Sequence, residues 1–341
     1  MLKLFKPSPG VVLGIDIGTS AINILQITHT DDSFCITGYE RWAFPISMVK
    51  EDGGGKFNAT HAIHKLLSSN TLAARSVVLA IPDVLTLQKT LYVHPSLKPH
   101  EVQELVAMES RKYITDPSQI FYDFYTLGPA PHDPSLHEIV FVVTRAENVL
   151  QRVGLVTKRQ LTVKAVEKES HAIERVCSRL MAESNNMVIF DVNIHKMYFY
   201  VLNKNTIVYS QEKNTDQELL DNFSQQHGVD KRDLVLMLTE YPMLYEDFLT
   251  QLHDFILLQL NHLLQLYFAV AHDRSFHKLW LAGDLARVPY LVQKSEQFFQ
   301  IPTSILNPLK ALQVANHLDR EKLMQDAPML LIACGLALRA C

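Results

Sequence analysis

Cysteine is scarce in this chain of 341 residues, and no two of its four cysteines form a CxxC pair. The four lie far apart along the chain, at Cys35, Cys177, Cys334 and Cys341. A disulfide framework and a thiolate zinc site both need cysteines in close pairs, so this spacing argues against both. We therefore expect the protein to work in a reducing compartment, the cytoplasm.

The sequence also lacks an apolar run of membrane-spanning length. The most apolar stretch, residues 329–338, is about half of what a spanning helix needs, and Gly335 interrupts it. The N-terminal segment reaches Pro7 and Pro9 before any apolar run of signal-peptide length. We expect a buried helix at 329–338, and neither a membrane span nor a secretion signal.

Neither sign of charge is in large excess. The chain has 32 basic and 36 acidic residues, and no basic stripe that could neutralise a phosphate backbone. Nucleic acid is therefore not an expected partner. With 48% hydrophobic and 20% charged residues, the composition supports a packed core rather than disorder. The length exceeds the size at which a single core usually stops growing, which favours two domains or one subdivided domain.

Strand patterns alternate with helical patterns along the chain, which predicts the α/β class. Two β-hairpins, at residues 11–27 and 187–202, share one organisation, because the first strand of each runs into an aspartate, Asp16 or Asp191. This repetition predicts an internal duplication. The helical patterns include residues 59–67, 98–113, 146–156, 167–182, 216–238, 245–272 and 290–299 and one last helix.

Three short elements each follow an apolar strand: residues 16–20, residues 191–193 and residues 281–284. A carboxylate at a strand end, followed by glycine and hydroxyl residues, offers backbone N–H groups to phosphate oxygens, while the acid holds magnesium through water. Any one of these turns alone would be ordinary hairpin chemistry. Together, facing one another, they predict a nucleotide cleft.

The order of these motifs, with Gly335 in the last apolar segment, resembles the ATPase fold shared by actin, heat-shock chaperones and sugar kinases. More narrowly, the chain resembles the PilM family, FtsA-like cytoplasmic components of the bacterial type IV pilus machine. That resemblance spans nearly the whole chain and includes Met-Glu-Ser-Arg-Lys-Tyr-Ile at 108–114, Tyr-Asp-Phe-Tyr-Thr-Leu-Gly at 122–128 and Asn-Pro-Leu at 307–309.

The resemblance implies an actin-like (ribonuclease H-like) duplicated two-domain fold with an FtsA-type 1C subdomain insert. On this reading, domain 1 comprises residues 1–185 with 323–341, including the insert at about 86–161; domain 2 comprises residues 186–322, with subdomain 2B at about 213–272.

The same resemblance implies a site for ATP and Mg²⁺. Asp16 would lie near the metal, Asp191 would face the phosphates from the second domain, and Gly283 would approach the adenosine. The expected nucleotide-site residues are Asp16, Gly18, Thr19, Ser20, Asn23, Asp191, Asn193, Gly283 and Asp284.

Several loop residues depart from the family pattern. Asn23 stands where lysine is usual, Asn193 stands where glycine is usual, and Asp284 replaces the second glycine of a Gly-Gly pair. The segment 214–216 also lacks an expected Gly-Gly. Loss of a cation and of close backbone approach predicts weakened nucleotide binding. We expect little or no ATPase activity and assign no catalytic residue.

The implied function is that of a scaffold peripheral to the inner membrane. It would bind the cytoplasmic N-terminal tail of PilN in a groove by subdomains 1A and 1C. It would link the inner-membrane alignment complex to the pilus motor that supports twitching motility, with ATP as a structural ligand. Apolar pockets suit an extended tail, so the predicted groove residues are Val93, Leu105, Met108 and Tyr113, whose spacing equally describes a buried helix face.

Two other functions stay open at this point. One is an active actin-like ATPase that polymerises or drives assembly. The other is a small-molecule kinase of the same superfamily, which would need a catalytic acid and a sugar-sized pocket. Neither feature is identified in the sequence.

Overall fold

The computed structural model of the protein describes residues 11–30, 33–44, 59–67, 72–114, 116–157, 161–181, 186–215, 217–231, 233–271 and 275–340. The strands in these ranges are β1 (Val12–Ile17), β2 (Ala21–Thr30), β3 (Ser33–Ala43), β4 (Ser76–Ile81), β5 (Thr86–Val93), β6 (Ile120–Pro129), β7 (His137–Arg145), β8 (Thr162–Lys168), β9 (Met187–Val192), β10 (Lys196–Asn203), β11 (Thr206–Asn214), β12 (Lys278–Ala282), β13 (Thr303–Ile305) and β14 (Gln313–Val314). The α-helices are α1 (Ala59–Leu66), α2 (Pro99–Ser110), α3 (Ala146–Val156), α4 (Glu169–Leu180), α5 (Gln217–His227), α6 (Leu234–Glu240), α7 (Glu246–Val270), α8 (Leu291–Phe299), α9 (Arg320–Asp326) and α10 (Leu331–Ala337).

Two large sheets repeat one arrangement of strands. The first sheet has the order β14-β3-β2-β1-β4-β8 and the second has the order β11-β10-β9-β12-β13. In each, three antiparallel strands are followed by two parallel ones, with β4 and β8 added to β1, and β12 and β13 added to β9. The first sheet has one further strand, β14, which pairs with β3 in parallel. The predicted α/β class and internal duplication are confirmed. We call the parts built on these sheets the first half and the second half.

Two helices, α4 and α10, lie in the core shared by the two large sheets. Ile27 of the first sheet and Ile189 of the second belong to one buried cluster with Cys177 of α4 and Cys334 of α10. A Cβ atom on Gly335 of α10 would lie 2.0 Å from the carbonyl oxygen of Ala172, so only glycine allows this close helix packing. The buried helix predicted near the C-terminal end is therefore confirmed.

A third, three-stranded sheet of order β5-β7-β6 is inserted between β4 and β8. Its core is a separate cluster in which Val102 and Val106 of α2 pack on Ile139, Phe141 and Val143 of β7. Helix α3, which follows this sheet, contacts α1 and β4 of the first half as well as β7. The small sheet is thus a distinct layer on the first half.

Some elements differ from the prediction. Strand β8 was not predicted: it is an edge strand of Thr, Lys and Glu among small apolar residues, and its outer positions are exposed. Helix α4 begins at Glu169, two residues later than predicted. The helical region predicted at 216–238 is two helices, because α5 ends before Gly228, whose φ is +62°. The single last helix is two, α9 and α10. The glycine-rich loop at 51–57 lies outside the described residues.

The longest helix, α7, has 25 residues and one largely buried stripe. This stripe packs on the second sheet through Leu252, Ile256 and Leu260. None of the described helices, α7 included, is long and apolar enough to cross a membrane.

Candidate functional site

The ends of equivalent strands from the two halves meet at one small cavity of about 50 Å³. Asp16 near the end of β1 and Asp191 near the end of β9 face each other there, and Asp284 follows directly after β12. All of the predicted nucleotide-site residues except Gly283 line this cavity: Asp16, Gly18, Thr19, Ser20, Asn23, Asp191, Asn193 and Asp284. The structure therefore brings the three sequence motifs together.

Gly283 lies just behind the cavity wall. Its φ is +89°, and a Cβ atom there would lie 2.4 Å from Asp191 Oδ1 and 2.5 Å from the carbonyl oxygen of Val192. Both the backbone conformation and the crowding require glycine at this position. The space beside Gly283 is filled by Asp191, Val192 and Asn193 at the end of β9. The loop after β12 therefore packs directly against the end of β9.

In the first half, Asn23 is a hydrogen-bond partner of Asp16. The Asn23 Nδ2 group donates to Asp16 Oδ2 at 3.1 Å and to the carbonyl oxygen of Met329 at 3.2 Å. Burial raises the pKa of Asp16 to about 6, although the hydrogen bond from Asn23 and the charge of Arg152 act in the opposite direction. Asp16 Oδ1 is buried and accepts no hydrogen bond from the described residues.

In the second half, Asn193 connects two loops. Its Nδ2 group donates to Asp191 Oδ1 at 2.7 Å, and its Oδ1 atom accepts from the backbone N–H of Asp284 at 3.1 Å. Burial raises the pKa of Asp191 to about 7, and the charges of Asp284 and Asp16 add to this effect, while the hydrogen bond from Asn193 lowers it. The asparagine in place of glycine thus has a defined structural role.

An ion pair joins the two halves at the edge of the cavity. Arg41 of β3 donates from Nη2 to Asp284 Oδ1 at 2.9 Å, and the two side chains are 16% and 9% exposed. The pair also forms part of the wall of a second cavity of about 260 Å³, whose lining includes His195, Leu236 and Arg287. Sequence reasoning did not connect Arg41 with the site, because only strand pairing places it opposite Asn23.

Glu169, the first residue of α4, also lines the small cavity and was not predicted. It is 7% exposed, and burial together with the nearby carboxylates of Asp16 and Asp83 raises its pKa well above the ordinary range. A buried carboxyl group with a raised pKa in a cleft can hold or accept a proton near neutral pH. The signal in the sequence was an acid at a helix start, which was hidden because the predicted helix began two residues too early, at Glu167, in the last part of β8.

The residue types around the cavity fit a magnesium nucleotide. Asp16 Oδ1, Asn23 Oδ1 and Asp284 Oδ2 are buried and accept no hydrogen bond from the part of the chain that the structure describes. Such oxygens suit hydrated Mg²⁺. No cluster of three or more His, Cys, Asp or Glu among the described residues is arranged to hold a metal ion directly.

The present space is smaller than a nucleotide needs. Ligand pockets usually measure about 300–1,000 Å³, whereas the two cavities here measure about 50 Å³ and 260 Å³. The cleft between the two halves is therefore narrow, and a nucleotide would fit only if it widened around the Arg41–Asp284 ion pair.

The predicted peptide-groove residues do not share one surface. Val93 is 5% exposed in the core of the three-stranded sheet, and Leu105 is partly buried against the same core. Met108 and Tyr113 are 55% and 45% exposed. Of the four, Tyr113 lines an open groove of about 510 Å³, between the start of β5 and the start of α3.

Two similar sheets, with helices α4 and α10 in their common core and carboxylates meeting at the strand ends, define the actin-like ATPase fold. The sequence model of one family, Type IV pilus assembly protein PilM, matches residues 14–341. The chain belongs to this family.

Solved structures agree with this fold. A chain of the PilM-PilN type IV pilus biogenesis complex is similar with a TM-score of 0.74 and 17% identity, over 98% of this chain and 99% of that one. The ethanolamine utilization protein EutJ from Carboxydothermus hydrogenoformans is similar with a TM-score of 0.55 and 13% identity, over 98% of this chain and 91% of that one. At such identities these likenesses show the shared fold.

Proposed function

We propose that this protein is a cytoplasmic scaffold of type IV pilus assembly that binds the N-terminal tail of PilN. The observation that carries the proposal is family membership over residues 14–341 together with similarity to a chain of a PilM-PilN complex over 98% of the sequence. Binding to PilN would place the protein at the inner membrane. From there it would link the inner-membrane alignment complex to the pilus motor.

The groove beside the three-stranded sheet is our proposed site for the tail. Its walls include the apolar side chains of Val84, Leu85, Leu87 and Tyr113. Val84 and Leu85 are 62% and 39% exposed, so both side chains are accessible to a partner. An extended peptide gains affinity when its apolar side chains fill such pockets. We also propose that this sheet is the FtsA-type 1C subdomain of domain 1, with the boundaries expected from the sequence.

ATP with Mg²⁺ is the proposed ligand of the cleft. The adenosine would occupy the larger cavity, near Asp284 and Arg287, and the phosphates would lie against Gly18, Thr19 and Ser20 once the cleft widens. Mg²⁺ would be held through water near Asp16. In the scaffold function, the nucleotide stabilises one arrangement of the two halves and is not consumed.

A labelled peptide with the PilN N-terminal sequence, titrated with and without magnesium ATP, tests the scaffold function. We expect Val84→Asp to weaken binding at least about tenfold, because the substitution places a charge in an apolar pocket. Val208→Asp is the matched control, since Val208 is similarly exposed, at 57%, but lies on β11 of the second half.

Absence of peptide binding by the wild-type chain would overturn the scaffold function. Binding that resists Val84→Asp but is lost in Met108→Asp would move the peptide site from the groove to the exposed face of α2.

One observation favours the second candidate, an active ATPase that polymerises or drives assembly. Glu169 is a buried carboxyl group lining the same cavity as Asp16 and Asp191 and is suited to proton transfer. Measurement of magnesium-dependent phosphate release decides between the two. Turnover that is abolished in Glu169→Gln would favour the ATPase, whereas nucleotide binding without turnover would favour the scaffold.

A further inference from the structure

Arg41 is the one lysine or arginine, among the described residues, that lines the small cavity between the two halves. It lies on β3 directly opposite Asn23 of β2, so the two side chains project from the same face of the first sheet. The guanidinium group therefore approaches the cavity from the first half, beside the turn formed by Gly18, Thr19 and Ser20.

The ion pair of Arg41 with Asp284 uses only part of the bonding capacity of each group. One hydrogen bond, from Nη2 to Asp284 Oδ1, joins them at 2.9 Å. Arg41 Nε and Asp284 Oδ2 are both buried and have no hydrogen-bond partner among the described residues. A guanidinium group carries five donors in a planar fork and binds phosphate through two parallel bonds. Both partners thus retain an unsatisfied atom that a ligand could satisfy.

The charge of the surrounding wall makes this cation necessary for an anionic ligand. Asp16, Glu169, Asp191 and Asp284 all line the small cavity. A phosphate group entering there would face these carboxyl groups, and each one that is ionised would repel it, strongly where water is excluded. Arg152 acts on Asp16 and Glu169 from outside the cavity lining. Among the described residues that line the cavity, Arg41 is the basic side chain, and its Nε is an unused donor.

We propose that Arg41 is the phosphate-binding cation of this cleft, and that Asp284 occupies its guanidinium group as a substitute anion while the cleft is closed. The proposal rests on the proposed binding of nucleotide. When phosphate enters, Arg41 exchanges Asp284 for phosphate oxygens, and the contact that closes the two halves is released. Phosphate and Asp284 therefore compete for one side chain.

Competition predicts opposite effects for the two partners of the ion pair. Arg41→Gln removes the cation that would bind the phosphate and is expected to weaken ATP binding about tenfold or more. Asp284→Asn frees Arg41, removes a repelling charge and is expected to strengthen ATP binding severalfold. If the pair were only a latch that holds the halves together, both substitutions would strengthen binding, because both would break the latch.

Calorimetric titration with magnesium ATP, ADP and adenosine is the test. The loss in Arg41→Gln should be largest for ATP and absent for adenosine, which has no phosphate. Adding Asn23→Lys to Arg41→Gln places a cation opposite the same position and should restore part of the ATP affinity. Lys196→Gln is the matched control. Lys196 is partly buried and pairs with Glu212, with 2.9 Å between Nζ and Oε1, and neither residue lines the small cavity.

Three results would overturn the proposal. Tighter ATP binding by Arg41→Gln would show that the ion pair only holds the two halves together. Equal losses of affinity for ATP and for adenosine would show that Arg41 only shapes the pocket. Absence of ATP binding by the wild type and by Asp284→Asn would remove the nucleotide from the proposed function as well. The PilN peptide titration of the same samples then shows separately whether the scaffold function stands, and their melting curves show that each variant is folded.

Discussion

The two halves of the molecule share a backbone plan but differ in the chemistry of one row of side chains. The row begins at the aspartate near the end of the first strand and crosses the two neighbouring strands. In the first half the row is Asp16, Asn23 and Arg41. In the second half the equivalent row is Asp191, Tyr198 and Glu212. The same position that carries a cation in one half carries an anion in the other.

This difference shows that the duplicated halves are complementary and not interchangeable. The cation of the first half pairs with Asp284 of the second, whereas Glu212 pairs with Lys196 of its own half. Of the two rows, the first therefore contributes a charged contact between the halves. The two halves share the same strand arrangement, but this row of paired residues ends in a cation in the first half and in an anion in the second.

The largest expected effect on stability comes from replacing Gly14, a buried position of the first half, with the isoleucine found at the equivalent position of the second half. Gly14 precedes Asp16 by two residues, as Ile189 precedes Asp191. A Cβ atom on Gly14 would lie 2.2 Å from the carbonyl oxygen of Ala333 in α10. We expect Gly14→Ile to cost about 4 kcal/mol of unfolding free energy, because helix backbone cannot yield as a side chain can.

Urea denaturation measures this loss, and Ile189→Val, expected to cost about 1 kcal/mol, is its control. If Gly14→Ile cost no more than the control, helix α10 would not be held as tightly against β1 as the structure indicates.

The pH dependence of stability separates the two aspartates. Both have a folded-state pKa raised by burial, to about 6 for Asp16 and about 7 for Asp191, above the unfolded value of about 3.9. The folded state therefore binds more protons than the unfolded state between these values. The stability contribution is fully present below about pH 4 and is lost as pH rises through the folded pKa.

Relative to wild type, Asp191→Asn should gain on the order of 3 kcal/mol between pH 4 and pH 8. Asp16→Asn should gain less, with its change complete at a lower pH. Denaturation at a series of pH values checks both variants. If the two variants gained the same unfolding free energy with the same midpoint pH, the two aspartates would not differ in pKa. If neither variant gained stability, these carboxyl groups would not be buried as described.

A smaller effect is expected at the outer parallel strand, which is longer in the first half. Glu167 of β8 is buried and binds Arg175 through both carboxylate oxygens, at 2.5 and 2.9 Å, and also binds Arg339. The equivalent strand β13 has only three residues.

We expect Glu167→Gln to cost about 2 kcal/mol, which is less than the roughly 3–5 kcal/mol of a fully buried pair because Arg339 is 41% exposed. Thermal unfolding monitored by circular dichroism is the measurement. A change near zero would mean that water satisfies both arginines when the charge is removed.

The smallest effect is expected at the anionic end of the second row. Glu212 and Lys196 are 30% and 28% exposed, so solvent screens their attraction. We expect Glu212→Gln to change the unfolding free energy by less than about 1 kcal/mol and to leave nucleotide affinity unchanged. An effect on ATP binding comparable to that of Arg41→Gln would contradict the assignment of different roles to the two rows.

Much of the fold could be predicted from the sequence because its signals are local. The alternating apolar residues of the two hairpins and the aspartates at their strand ends predict the duplication directly. Strand β8 could not be predicted in the same way, because an edge strand buries few side chains and reads like a helical or loop segment. Val93 illustrates a second limit: an apolar strand residue predicts burial on one face, but not which face another layer covers.

The amino-acid sequence by itself determined that an aspartate stands at the end of β1 and of β9, that the turn at position 283 contains glycine, and that strands alternate with helices. Each of these features depends on turn chemistry or on residue periodicity within a few neighbours. Only the tertiary structure decided which charges meet. Arg41 and Asp284 are 243 residues apart in the chain, and Glu169 reaches the cavity because α4 packs between the sheets. Strand order, register and helix packing set these distances, and none of the three is encoded in any single segment.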